Sequence, residues 1–233
     1  MRALPTALAI VALTGCGSGS DGSSLPQGSE PAKLDASEFV TEIDNPYWPM
    51  APGSTWVYRE DGRHVEVTVT GRTKEILGIS ATVVHDVVSE DGELVEDTYD
   101  WYAQDSDGNV WYLGEDTKEY ENGRVKTTEG SWEAGVDGAE AGVVVPAKPE
   151  AGLSYRQEYY RGEAEDAARV LSIDEKVEVP FGRFGDVLMT KDYTPLEPSL
   201  VEHKFYAKNV GPVLATTISG GSDREVLISF KRR

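Results

Sequence analysis

One cysteine, Cys16, among 233 residues excludes any intramolecular disulfide. Histidine is nearly as scarce, with only His64, His85 and His203. His85-Asp86 and Glu202-His203 are adjacent pairs, but neighbouring residues on a strand point to opposite faces, so neither pair chelates a metal by itself. The sequence also lacks a GxSxG nucleophile elbow, an HExxH helix and a phosphate-binding glycine loop. On these grounds no metal, cofactor or catalytic residue is expected. Basic residues are in deficit as well: 22 Lys and Arg stand against 41 Asp and Glu, for a formal charge of -19. That imbalance argues against nucleic acid or an anionic membrane surface as partner, and an acidic surface keeps the chain soluble.

Long apolar runs are missing after the first residues. Arg2 followed by the apolar stretch Ala3 to Val11 reads as a signal peptide over residues 1–15, too short for a membrane-spanning helix. Leu13-Thr14-Gly15-Cys16 follows, and this stretch resembles the lipobox of bacterial lipoproteins. The resemblance implies removal of the signal peptide, lipidation of Cys16 and anchoring on the extracytoplasmic side of a bacterial membrane. It also gives the lone cysteine a use. Residues 16–29 are rich in Gly and Ser, the composition of a flexible tether, and residues 30–233 are expected to form a single antiparallel β domain.

Within that domain, Asp35-Ala36-Ser37-Glu38 has the spacing of a capping box and predicts one short helix, ended by Asn45-Pro46. The proline-punctuated stretch Pro46 to Gly53, with Tyr47 and Trp48, is expected to plug one end of a sheet. From Thr55 on, alternating apolar and polar residues are cut by Asp61-Gly62, Gly78, Asp91-Gly92, Asp107-Gly108 and Asn122-Gly123, about fifteen residues apart. This rhythm predicts long strands in an antiparallel meander, curved or partly closed into a barrel. Residues 127–149 interrupt it with a loop, in which Val143-Val144-Val145 is expected as an edge strand stopped by Pro146. Strands resume from Ser154.

The centre of the chain is Glu93 to Asp116, a hairpin with aromatic residues on both arms. A three-residue loop, Ser106-Asp107-Gly108, pairs Asp105 with Asn109 and puts Trp101, Ala103, Trp111 and Leu113 on one face, with Tyr102 opposite Tyr112. That face is expected to be the buried one. A two-residue turn would slip the register by one and separate the tryptophans. Gly108 is fourth in the loop rather than sixth, which favours a turn over a calcium site. Trp48, Trp101, Trp111, Tyr102 and Tyr112 are the candidate ligand-binding residues, either filling a core or lining an apolar cavity. Glu163, Glu165 and Asp166 read as a solvated hairpin tip.

The stretches NPYWP, PGSTWVY, DWYAQDSDGNVWY and EHKFYAKNVGPV resemble an uncharacterised group of bacterial secreted proteins and lipoproteins, over most of the chain after residue 40. The resemblance implies an architecture like the half-barrels of lipoprotein carriers. Three functions are compatible with it: a lipid-anchored binding or accessory module for an apolar or lipid-like ligand, a structural lipoprotein with a filled core and an envelope protein as partner, and a hydrolase built on carboxylates or histidines. The anchor is the most directly testable element. Radiolabelled palmitate should enter the wild-type chain and not Cys16→Ser, and equal labelling of both contradicts lipidation.

Overall fold

The computed structural model describes residues 25–233; the signal peptide, Cys16 and most of the tether lie outside the described residues. The short strand Phe39–Val40 (β1) precedes a meander of Thr55–Glu60 (β2), Arg63–Ile76 (β3), Ile79–Glu90 (β4), Glu93–Asp105 (β5) and Val110–Glu121 (β6). Short strands follow at Arg124–Thr127 (β7), Trp132–Glu133 (β8), Glu140–Val145 (β9), Ser154–Arg156 (β10) and Glu158–Tyr159 (β11). A second meander comprises Ala167–Val179 (β12), Gly182–Tyr193 (β13), Val201–Ala207 (β14), Gly211–Ser219 (β15) and Arg224–Lys231 (β16). The fold is therefore antiparallel β, in one sheet that curls into a nearly closed barrel.

The turns form for the reason their sequences give. Asp61-Gly62, Asp91-Gly92 and Asn122-Gly123 all have positive φ at both residues, 40° and 98°, 51° and 85°, 52° and 71°. Such two-residue turns match the twist of the strands they join, and Asp, Asn and Gly tolerate that conformation best.

Two joints convert the meanders into a barrel. On one side β16 pairs with β2. On the other, the run 154–159 changes partner midway: its first half, β10, pairs with β12 and its second half, β11, pairs with β9. Both ends of the sheet thus meet on one short seam. Gly142 makes the close approach possible, since a Cβ there would lie 2.3 Å from the carbonyl carbon and oxygen of Gln157. Arg156 clasps the seam from the side of the docked residues 26–30. Its guanidinium donates to the carbonyls of Gly28, Glu30 and Ala141, and its own N–H donates to Pro26. The last residues of the expected tether, from Leu25, are therefore docked on the barrel.

Two expectations need correction, and a third is sharpened. The predicted helix is a single 3-10 turn, Ala36–Glu38, capped by the Asp35 carboxylate; Phe39 and Val40 instead pair with Asp105 and Gln104. A strand edge with free backbone groups outcompetes so short a helix. Val143 to Val145 is not at an edge, because β9 lies between β6 and β11. The hairpin has the three-residue loop, with Ala103 opposite Trp111 and Tyr102 opposite Tyr112. Trp101 and Trp111 do share a face, and it is buried as expected, with Trp101, Ala103 and Leu113 in the core and Trp111 packed against it, but it is the side of the sheet away from the cavity. Lys74 lies 3.2 Å over the Trp101 ring, and Phe39 covers Trp111.

The seam yields a stability prediction. Gly142→Ala should cost roughly 2–4 kcal/mol, the range of a severe backbone clash, whereas Gly185→Ala, with nothing within 4 Å of the added methyl, should be near neutral. Denaturant melts compare the two; equal midpoints would refute the role of the seam.

Candidate functional site

The barrel encloses a cavity of about 280 Å³. One end is closed by Trp48, whose ring lies 5.3 Å from Tyr102 and 6.2 Å from Tyr206. The proline-bounded stretch around it is fixed from three sides. Gln104 Oε1 accepts from the N–H groups of Asp44 and Asn45, Asn45 Nδ2 donates to Gly108, and Asn209 N–H donates to Pro46. Gly211, at φ 110°, leaves room for the indole: a Cβ there would meet Trp48 Cδ1 at 2.9 Å.

Tyr58, Tyr102, Tyr112 and Tyr206 continue the wall, but carboxylates interrupt it. Asp86, Asp100, Glu158, Asp166 and Glu225 all line the space, with Lys204 as its one cation among the described residues. This lining differs from the apolar one expected. Of the five candidate residues, Trp48, Tyr102 and Tyr112 face the cavity, whereas Trp101 and Trp111 lie outside it.

A bulge in β6 sets this composition. Between the pairs Asp100–Glu115 and Tyr102–Tyr112, β5 advances two residues and β6 three. The extra residue falls at Leu113-Gly114, where Gly114 has φ 130° and a Cβ would meet the Trp132 carbonyl at 2.2 Å. Strict alternation from Tyr112 would have turned Asp116 inward. The bulge turns Glu115 inward instead, directly opposite Asp100.

The electrostatics follow from burial. Asp100 is pushed up to about 6 by loss of solvent, partly offset by the hydrogen bond from Tyr112 Oη at 2.7 Å. Glu115 is pushed to about 9 by burial and then by Asp100 and Glu158. Glu158 rises to about 8, through burial and Asp166, although Trp132 Nε1 donates to it at 2.9 Å. Glu225 reaches about 7 through burial and Glu60. Burial, then Asp100 and Glu225, also raise Asp86 well above the usual range. Its Oδ1 is buried without any hydrogen-bond partner.

Lys204 behaves in the opposite sense. Burial opposes its charge, but Asp192 at 3.4 Å and Glu202 at 3.9 Å keep its pKa above the ordinary value. Its side chain is still 36% exposed because it faces the cavity. The ammonium thus belongs to Asp192 and Glu202. Among the described residues, no Lys, Arg or His lies within ion-pair distance of Asp86, Asp100, Glu115, Glu158, Asp166 or Glu225.

Sequence reading missed most of these carboxylates because each looks like an ordinary polar residue of an alternating strand; Asp166, read as part of a solvated hairpin tip, instead lines the cavity. A usable signal was present in β4, where Asp86 occupies a place in the otherwise uncharged series Thr82, Val84, Asp86, Val88. His85 is outside the site: its ring stacks on Tyr99 at 4.3 Å and meets Asp97 at 2.6 Å. His203 lies on β14, remote from β4 in the sheet order. The Asp105 loop is a turn held by its own carboxylate, whose Oδ1 accepts from Gly108 and Asn109 and whose Oδ2 accepts from Trp111 Nε1. Among the described residues no three His, Cys, Asp or Glu side chains are grouped to hold a metal ion.

Raised carboxylates make folding depend on pH in a defined sense. Between the ordinary value of 4.5 for Glu and the raised values of about 7 to 9, the native chain holds protons that the unfolded chain has released. Stability is therefore greatest near pH 5 and falls as pH rises to 9. Lys204, charged throughout that window, leaves the slope unchanged. Thermal melts should show a falling Tm, with a shallower slope in Glu115→Gln and Glu158→Gln. A Tm that is flat or rises from pH 5 to 9 would contradict the burial of these groups.

No family model matches this chain, and no curated protein matches it. Among solved structures, a protein from Parabacteroides distasonis ATCC 8503, provisionally named a lipoprotein, aligns over 80% of this chain and 99% of its own, at 12% identity and a TM-score of 0.42. A likeness of that size leaves the role to be argued from the residues.

Proposed function

We propose that this chain is an exported, lipid-anchored binding module of the bacterial envelope, whose barrel interior holds a small ligand. One observation carries the reading: a space of about 280 Å³ in the barrel is lined by four tyrosines and by Asp86, whose Oδ1 is buried without a hydrogen-bond partner. A protein that used its barrel only as a scaffold would gain stability by filling that space with side chains. The cavity instead keeps polar groups whose burial is costly. The Cys16 anchor and the tether would hold the barrel at the membrane surface.

Native mass spectrometry of the full chain in mild detergent tests the reading. The wild-type barrel should carry non-covalent small-molecule mass, and Ala215→Trp, which places an indole on the cavity wall, should lose it. Bare protein in both samples would contradict a ligand-holding role.

A second reading, hydrolysis, is favoured by one observation. Asp100 at about 6 and Glu158 at about 8 line the same cavity, so near pH 7 one is mainly ionised and the other mainly protonated. That is the division of labour between a base and an acid. Turnover of a chromogenic ester or glycoside that vanishes in Glu158→Gln would favour this reading over simple binding.

A further inference from the structure

The cavity shares lining residues with two others, and the shared residues are carboxylates. Asp86 and Glu225 line the central space and also a mouth of about 390 Å³ that includes Glu60, Glu96 and Glu119. Glu158 and Asp166 line the central space and also an outer groove of about 660 Å³ beneath Gln27, Gly28 and Ser29. Carboxyl groups thus stand on both sides of the central space, beside Arg63 and Lys126 at the mouth and Arg156 and Lys191 in the groove.

Strand register adds a second, independent feature. Besides Glu90–Glu93 beside an exposed turn, four carboxylate pairs lie directly opposite one another across adjacent strands: Glu60–Glu225, Glu96–Glu119, Asp100–Glu115 and Asp192–Glu202. Like charges in that arrangement destabilise a sheet. Lys204 serves the fourth pair, while Arg63 at 3.9 Å from Glu60 and Lys126 at 3.7 Å from Glu119 sit in solvent at the mouth. Lys204 also lines the central space, but its ammonium is held by Asp192 and Glu202, and among the described residues no cation lies within ion-pair distance of Asp86. Its Oδ1, buried and without a donor, points to a missing hydrogen-bond donor that the protein does not supply.

We propose that the barrel interior binds an organic cation carrying primary or secondary amines, with an ammonium donating to Asp86 between Asp100 and Glu225. This rests on the reading of the cavity as a ligand site. The flanking rings fit the same chemistry: Tyr58, Tyr102 and Tyr112 present faces and edges to a carbon chain, and aromatic faces attract an ammonium. A bare metal ion is a poor match, since the described residues offer no grouped set of three ligands. A fatty acid carboxylate would meet five carboxyl groups and a single cation, Lys204, already paired with Asp192 and Glu202. The two sets of shared carboxylates suit a linear molecule with separated charges, because each set offers a place for one ammonium.

Isothermal titration of the full chain in detergent, with 1,4-diaminobutane, spermidine and decanoate as probes, tests the assignment. At least one amine should bind saturably. Asp86→Asn and Glu225→Gln should each weaken it about tenfold or more, the scale of a charge-assisted hydrogen bond. Both variants should melt at or above the wild-type temperature, because each removes a buried, unpaired acid. Amine binding that both variants retain at full strength would overturn the proposal. Saturable decanoate binding without amine binding would overturn the cation assignment and leave the ligand site standing. Silence from all three probes would overturn the cation assignment, and bare protein in the native mass spectrum would then remove the ligand site with it.

Discussion

Carboxylates set directly opposite one another on the concave face of a sheet forbid that face from collapsing into a dry core. Buried charge without a partner is among the costliest arrangements in a protein. The face must instead enclose a polar space or take up protons, and this barrel does both. Asp100, Glu115 and Glu225 stand around an open interior, and burial raises all three. The apolar packing that holds the fold lies elsewhere. It sits at the closed end, around Trp56 and Tyr58, and in strand segments such as Val143 to Val145 and Leu227.

Closure at both ends of the sheet follows from that constraint. Were the seam open, the inner face would be an ordinary acidic surface with unremarkable carboxylates. Gly142 and Arg156 bring residues 154–159 onto both flanking strands, and Glu158 and Asp166 then stand where the interior meets the groove outside. The four stretches that carry the sequence resemblance converge at the other, closed end. NPYWP supplies Trp48, PGSTWVY supplies Trp56, and the hairpin supplies Gln104 and Tyr102. The last stretch supplies Gly211 and Val210, whose carbonyl accepts from Trp56 Nε1. Those motifs therefore describe how the barrel is plugged. They also supply Tyr58, Asp100, Tyr102, Tyr112, Lys204 and Tyr206 to the cavity, whereas Asp86, Glu158, Asp166 and Glu225 come from less conspicuous stretches.

Strand positions and turns were legible because they are local. Asp-Gly and Asn-Gly pairs dictate positive φ, alternation dictates faces, and the Asp105–Asn109 loop was read in its observed register. The helix at Asp35 failed because its competitor, the edge of β5, is remote in sequence. The cavity wall was hidden for a related reason. Trp101 and Trp111 do belong to a buried face, but that face packs under Lys74 and Phe39 while Tyr102 and Tyr112 turn to the cavity. The acidic interior was hidden more deeply. Its composition depends on a bulge at Leu113-Gly114, and which carboxylates confront each other depends on pairings such as Glu60–Glu225, between strands near opposite ends of the chain. Neither is a property of any short window.

The central claim is that the barrel interior holds acids starved of both water and cations. Titration of ¹³C-labelled Asp and Glu carboxyls by NMR examines it group by group. A subset should change shift far above the ordinary carboxylate range, with Asp100 near 6, Glu225 near 7, Glu158 near 8 and Glu115 near 9. Carboxyls that all titrate together near their ordinary values of 3.8 to 4.5 would mean an interior open to solvent, and would contradict the account.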